Sequence, residues 1–296
     1  MPNSSDELRD FLRASRAKLR PEEVGLPALV GRAGSRSRRV PGLRREEVAQ
    51  LAGVSVDYYS RLEQGRTKDV SRSVLDGVAD ALRLNPVERD YLVALVALQT
   101  TSPMALADTP RRTVRPSVMR TLSAFEASPA VVMGRGMQLL AMNALARSVF
   151  FDFTTVPVPE RNLARWVFLD PDARVRFEDW ESRASEAAAV IRADAGAHPD
   201  DPDLIRLVGE LTVKSHDFRR HWADHEVFRC TWGAIRVNHP TVGPLSLDYE
   251  ALAIPGAVEQ NVVVYLAPEG SPSSEALLLL SSWDAKHPIP VRAERR

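Results

Sequence analysis

Residues 43–66, LRREEVAQLAGVSVDYYSRLEQGR, constrain the fold more than any other stretch. Apolar side chains recur at helical spacing on both sides of Gly53. Two short helices meeting at a glycine need a small residue where they cross, and Ala49 supplies it. Gly53 follows four positions later and adopts at little cost the positive φ that a tight turn requires. Val48, Ala52, Val54, Tyr59 and Leu62 then point inward. Ser55 stands where the second helix needs an N-cap. Val56, Asp57, Tyr58, Ser60 and Arg61 remain on the outer face near the start of that helix.

That face suits the edges of base pairs. An arginine at position 61 can donate twice to guanine O6 and N7, Asp57 can accept from cytosine N4, and Val56 can touch a thymine methyl. Arg45 ahead of the turn, and Gln64 and Arg66 after the second helix, suit phosphates, which position without specifying. The expected DNA-contact set is therefore Arg45, Ser55, Val56, Asp57, Tyr58, Ser60, Arg61, Gln64 and Arg66. An ordinary helical hairpin shares the spacing, so charge becomes the discriminating feature.

Overall charge first points the other way, with 39 Lys+Arg against 39 Asp+Glu. The distribution is uneven, however. The window 13–72 holds 14 basic and 7 acidic residues, and it includes the run SRSRR at 35–39. A basic end on a neutral chain is the footprint of nucleic-acid binding. Aromatic residues follow the opposite trend. Phe11 is the only Phe or Trp in the first 100 residues, whereas seven fall between Phe150 and Trp180. A chain of 296 residues has room for two domains at about 150 residues each. Its 44% hydrophobic and 26% charged content excludes collagen, extended disorder and coiled coil. No stretch approaches the roughly 20 apolar residues of a membrane helix. MPNSSDELRDFLRASR lacks the apolar core of a secretory signal, so a cytoplasmic, nucleoid-associated protein is expected.

Helical periodicity at 6–19, the two helices above, 73–83 with Ser73 as candidate cap, and a helix opened by Asn85 and Pro86 give five helices and no strand. Residues 99–116, QTTSPMALADTPRRTVRP, read as a linker. Beyond them PAVVMGRGMQLLAMN predicts two short strands joined at Gly134–Gly136, followed by a helix in NALARSVFF. Residues 178–193 and 202–223 read as helical. Leu245, Leu247 and Tyr249 alternate with polar neighbours as in a half-buried strand, and NVVVYLA suits a central strand. SSEALLLLSSW reads as a closing helix. The expected architecture is an all-α five-helix domain at 1–98, the linker, an α+β domain at 117–284 and a tail at 285–296.

EEVAQLAGVSVDYYSRLEQGR resembles the DNA-binding domain of Xre-type repressors, kin to the lambda repressor. In that group an arginine of the first helix pairs with a glutamate near the end of the recognition helix. The resemblance implies that Arg16 pairs with Glu63. A narrower resemblance covers nearly the whole chain. VPGLRREEVAQLAG, VGELT, HPTVGPLSLDYEAL and YLAPEGSPSSEALLLL are similar to MmyB-like regulators, a bacterial group with an Xre-type domain and a PAS-like ligand-binding domain. The chain departs from that pattern at FRCTWGAIRVNHP, where the group often carries glycine and basic residues. The resemblance implies a lambda-repressor-like helical domain, a PAS-like fold, and a fatty acid or other acyl-like occupant.

Met133, Met137, Met142, Phe150, Phe151, Phe153, Trp166, Phe168, Trp222, Trp232 and Tyr265 are candidates to line an apolar cavity or fill the core. Met133, Met142, Phe150, Trp166, Phe168, Trp222, His225, Trp232 and Tyr265 are the expected ligand contacts. His221 and His225 stand four apart, with His216 and Cys230 nearby, but no metalloprotease motif accompanies them and no metal is expected. Asp200, Asp201 and Asp203 lack calcium-loop spacing and suit a helix cap. No nucleophile elbow, phosphate loop or dinucleotide glycine pattern appears, so a catalytic role is not expected. The expectation is a homodimeric regulator, by family habit a repressor, on a near-palindromic operator, answering to a small apolar ligand. The alternative is a regulator whose second domain binds a protein partner instead.

Overall fold

The computed structural model describes residues 4–26, 42–67, 70–100, 113–229, 231–257 and 259–286. The basic run at 35–39, most of the expected linker, Cys230 and most of the expected tail lie outside them. The chain divides into two units. The first comprises Met1–Ala107 with Arg192–Ile205 and Trp222–Phe228, and the second comprises Asp108–Ile191, Arg206–His221 and Arg229–Arg296. Two segments expected in the α+β domain thus belong to the helical unit.

The first unit contains α1 (Ser4–Lys18), α2 (Arg45–Leu51), α3 (Val56–Glu63), α4 (Arg72–Ala81) and α5 (Pro86–Thr100). Each start has a chemical reason. Asp6 and Glu7 sit in the first turn of α1 and Arg16 and Lys18 in its last, both favourable to the helix dipole. Glu47 Oε2 accepts from the Arg44 backbone N–H at 2.6 Å before α2. Gly53, at φ 68°, turns the chain into α3. Ser55 Oγ then accepts from Tyr58 N at 3.1 Å. The cap of α4 is Ser71 rather than Ser73, with its Oγ accepting from Val74 N at 3.4 Å. Asn85 and Glu88 exchange two hydrogen bonds, of 3.0 and 2.9 Å, in a capping box before α5.

Leu8, Phe11, Leu12, Leu43, Val48, Ala49, Tyr59, Leu62, Val78, Leu92 and Leu95 form the core of this unit, joined by Ala193 and Val227. Phe11 meets Tyr91 edge-on at 5.1 Å between ring centres. Gly196 lies so close to Tyr91 that a Cβ there would fall 1.9 Å from the ring. A buried ion pair ties the late segments to α1. Arg192, 1% exposed, donates to Glu7 Oε1 and to the Trp222 carbonyl. Its guanidinium carbon lies 4.0 Å from the centre of the Trp222 ring. Tyr91 donates its hydroxyl to the same Glu7 oxygen at 2.9 Å.

The second unit is built on a five-stranded antiparallel sheet. Its elements run α6 (Pro116–Ala124), β1 (Ala130–Met133), β2 (Leu139–Met142), α7 (Ala144–Val149), α8 (Leu163–Leu169), α9 (Pro171–Arg176), α10 (Trp180–Ala197), α11 (Pro202–Lys214), α12 (His216–Ala223), β3 (Trp232–His239), β4 (Gly243–Ala253), β5 (Asn261–Leu266) and α13 (Pro272–Lys286). Residues of α10, α11 and α12 within Arg192–Ile205 and Trp222–Phe228 count with the first unit.

Strand order is β2-β1-β5-β4-β3, so NVVVYL lies at the centre. Both faces of β5 are covered, which explains its unbroken apolar run. Val132, Val262 and Val264 pack with Val118 and Leu122 of α6. On the opposite side Phe150 rests on Tyr265 at 4.7 Å, and α13 packs against α7 and β4. Leu245, Leu247 and Tyr249 are buried while Ser246, Asp248 and Glu250 are exposed, matching their alternation. The expected helix 202–223 is two helices, broken at Ser215, whose hydroxyl caps the second by accepting from Phe218 N at 3.1 Å.

Candidate DNA-reading surface and ligand cleft

Helix α3 is sorted into two faces. Tyr59, Leu62 and Glu63 are buried. Val56, Asp57 and Arg61 are exposed, Tyr58 and Ser60 are half-buried, and Gln64 and Arg66 are exposed beyond the helix. Arg61 Nη2 lies 3.4 Å from Asp57 Oδ2 one turn earlier. Both side chains are more than half exposed, so the pair is weak and either partner can exchange it for a base edge. Ser55 directs its hydroxyl back into the helix start.

Glu63 is wholly buried, and a buried carboxylate is tolerated only when paired. Arg16 Nε lies 3.4 Å from its Oε2, while Arg16 Nη1 donates to the Leu43 carbonyl at 2.6 Å. Arg45 donates from Nε at 3.0 Å and from Nη2 at 2.8 Å to Oε1. These hydrogen bonds, and the Glu63 charge, raise the Arg45 guanidinium above its ordinary value. Arg45, expected among the phosphate contacts, thus also holds the buried Glu63. Its half-exposed side chain bonds Glu63, which thus has two arginines where the resemblance implied one. Spacing reveals the α1–α3 pair; Arg45 was hidden because a basic residue at a helix start fits a phosphate equally well.

The second unit carries an open cleft of about 400 Å³ lined by Phe151, Phe153, Val156, Glu160, Asn162, Arg165, Trp166, Leu169, Asp170, Pro171 and Glu210. Asn162 organises one side. Its Oδ1 accepts from Arg165 N at 3.1 Å to start α8, and its Nδ2 donates to the Gly136 carbonyl at 2.7 Å. Phe151 and Trp166 lie nearly parallel, 6.2 Å between centres, and Phe153 meets each edge-on. Trp166 is 4% exposed, and its Nε1–H meets no acceptor among the described residues. Arg165 Nη2 pairs with Glu210 Oε2 at 2.7 Å, and Lys214 reaches Glu210 Oε1 at 2.8 Å. Burial works to raise the Glu210 carboxyl, but the hydrogen bonds and charges of Lys214 and Arg165 hold it below its ordinary value.

The expected ligand contacts do not converge. Of that set, Trp166 alone lines the cleft; Phe151 and Phe153 join it from the wider candidate list. Phe150 and Tyr265 pack on each other at the sheet, and Tyr265 also meets Tyr249 at 6.1 Å. Phe168 packs on Phe218 at 5.1 Å and lies 6.5 Å from Trp180. Met133 is buried in β1, and Met142 pairs with Val131 in the hairpin. Trp232 opens edge strand β3 and is 71% exposed. Trp222 and His225 belong to the first unit, where Trp222 covers Arg192.

His225 lies beyond the end of α12 at φ 52°, so it shares no helical face with His221. Among the described residues no group of three or more His, Cys, Asp or Glu is placed to hold a metal. Asp201 Oδ1 caps α11 by accepting from Asp203 N at 2.8 Å. Sequence reasoning missed Glu160, Asn162, Arg165, Asp170 and Glu210. Only Asn162, a cap residue before an apolar run, left a local signal.

A helix-turn-helix unit with an outward recognition helix, joined to an α+β domain with a cleft, defines a ligand-binding transcription regulator. Two family models agree: a helix-turn-helix domain matches residues 7–92, and the MmyB-like transcription regulator ligand binding domain matches residues 114–280. The second spans more than half of the chain, which belongs to the MmyB-like transcription regulators. No curated protein matches the chain. Among the described residues no helix is long and apolar enough to cross a membrane.

Proposed function

We propose that this DNA-binding regulator is a homodimeric repressor of a near-palindromic operator, released by a small apolar, acyl-like ligand. The exposed face of α3 carries the reading: Val56, Asp57 and Arg61 stand exposed at its first turns above a buried seam. One recognition helix covers only a few base pairs. Two related by a two-fold axis would read half-sites roughly 34–36 Å apart. The ligand must bind one dimer geometry better than the other to shift the equilibrium. It is bound and released unchanged, in keeping with the lack of catalytic motifs, and the protein acts on chromosomal DNA in the cytoplasm.

A mobility-shift series on DNA upstream of the protein's own gene tests this reading. Arg61→Ala should cost about 1–3 kcal/mol on the preferred site and relax discrimination at one position. Arg66→Ala should weaken all sequences alike and lower the salt slope by about one. Unchanged binding in both variants rejects α3 as the reading element, and a shift that saturates with one protomer per site rejects the dimer.

A further inference from the structure

Helix α1 touches the end of the recognition helix at two places. Gly65, two residues beyond α3, lies so close to Ser5 that a Cβ there would fall 2.6 Å from the serine Cβ. Toward the other end of α1, Arg16 reaches the buried Glu63 and donates to the Leu43 carbonyl. A displacement of α1 is therefore felt at the end of α3, because close-packed interiors transmit strain.

Two segments from far along the chain hold α1 in turn. Arg192 of α10 donates to Glu7, two residues from Ser5, and to the Trp222 carbonyl, with its guanidinium over the Trp222 ring. Residues 222–228 then follow α1 as a strap. His225 feels the charges of Arg192, Glu7, Asp10 and Lys18. Lys18 Nζ lies 3.5 Å from Glu226 Oε1, and Val227 is buried in the same core as Leu8, Phe11 and Leu12.

Both segments continue helices that begin in the second unit, α10 at Trp180 and α12 at His216. Trp180 Nε1 donates to the Val167 carbonyl of α8 at 3.0 Å, and α8 supplies Arg165, Trp166 and Leu169 to the cleft. An unbroken helix of 18 residues thus starts on the element that borders the cleft and ends at the residue that holds Glu7. Rigid elements of this kind carry coupling between distant sites when both sites bias their arrangement.

We propose that Arg192 and the strap 222–228 are the control element of this regulator. Docked on α1 they hold α3 in its DNA-reading position, and an occupant of the cleft that loosens them releases the operator. The proposal rests on the reading of α3 as the helix that enters DNA. Arg192 is 1% exposed, so it contacts no DNA itself and acts as a positioning residue. Coupling is reciprocal, so operator DNA must in turn tighten the strap.

Titration of the full chain into labelled DNA from upstream of its own gene, joined to hydrogen exchange with and without that DNA, tests this. Arg192→Leu should weaken the operator at least about 5-fold, the lower end of ordinary coupling between sites. Trp222→Leu keeps the main-chain acceptor, removes the ring, and should weaken it about 2- to 5-fold. In the parent, operator DNA should slow exchange at 192–197 and 222–228 as well as in α3. In Arg192→Leu at saturating DNA, α3 should still gain protection while the late segments do not. A merely structural role for Arg192 leaves that pattern as in the parent. Circular dichroism verifies folding; if Arg192→Leu fails to fold, Trp222→Leu and the exchange pattern of the parent decide.

Two results overturn the proposal: every folded variant binding the operator as the parent does, or DNA protecting α3 in the parent without slowing exchange in either late segment. The underlying reading fails separately. A parent without preference for its upstream DNA, or an Arg61→Ala variant that binds it unchanged, rejects α3 as the reading helix and the control element with it.

Discussion

Replacing Arg192 by leucine should loosen the helical unit from α1 to α5. Arg192 is 1% exposed and donates to Glu7 on α1 and to the Trp222 carbonyl, with its guanidinium over the Trp222 ring. Breaking a buried ion pair by deleting one partner costs about 3–5 kcal/mol, because the other charge is left uncompensated. Glu7 keeps the Tyr91 hydroxyl and its side chain is 15% exposed, which places the expected loss near the lower bound, about 3 kcal/mol. At 1.36 kcal/mol per tenfold, that is about a 150-fold loss of protection. Native-state hydrogen exchange read by mass spectrometry on peptides of α1 and α5 reports local opening without requiring the two units to unfold together. Adding Glu7→Gln removes the stranded charge, so the double variant should recover roughly half of the loss. A change under about threefold in the single variant, or no recovery in the double, refutes the account of Arg192 as the charge that neutralises Glu7.

Arg45→Ala should lower the thermal stability of the helical unit by about 1–2 kcal/mol, since Glu63 then keeps only Arg16. A melt unchanged from the parent refutes that hold on Glu63. Gly196→Ala and Gly209→Ala should act with opposite signs. The first drives a Cβ into Tyr91 and should cost about 1–3 kcal/mol, whereas the second meets nothing within 4 Å and should gain about 0.5–1 kcal/mol of helix propensity. Paired denaturant melts decide between these signs and a uniform response. Burial, then the Arg192 and Lys18 charges, lower the His225 imidazole below its ordinary value of 6.5, against the opposing pull of Glu7 and Asp10. The unfolded chain therefore takes up a proton first. Stability of the unit should be flat above pH 6.5 and decline below it until the folded imidazole also titrates. His225→Asn, which tolerates the positive φ, should flatten that decline; an identical pH profile in the variant dismisses His225 as its source.

Local chemistry made much of the architecture legible. The Gly53 turn, the Ser55 cap and the inward Tyr59 and Leu62 are readable because each depends on neighbours within one or two helical turns. The alternation of Leu245, Leu247 and Tyr249 marks a strand covered on one face, and the unbroken run in NVVVYL marks one covered on both. The cleft was largely illegible. Phe150 and Phe151 are adjacent and chemically identical, yet the first packs at the sheet and the second lines the cleft. Arg165 meets Glu210 across 45 positions, and no periodicity relates residues so far apart.

By itself the sequence determined the helix-turn-helix, the strands β1, β2, β4 and β5, and the basic segment that a neutral total charge conceals, because caps, turns and hydrophobic periods are local. Tertiary structure alone decided three things. It brought Arg45 to Glu63, assigned Arg192 and Trp222 to the helical unit, and gathered Glu160, Asp170 and Glu210 around an aromatic cluster. Each depends on which side chain arrives opposite a buried charge or ring. Burial sets that energy, and burial is a property of the packed chain rather than of any segment.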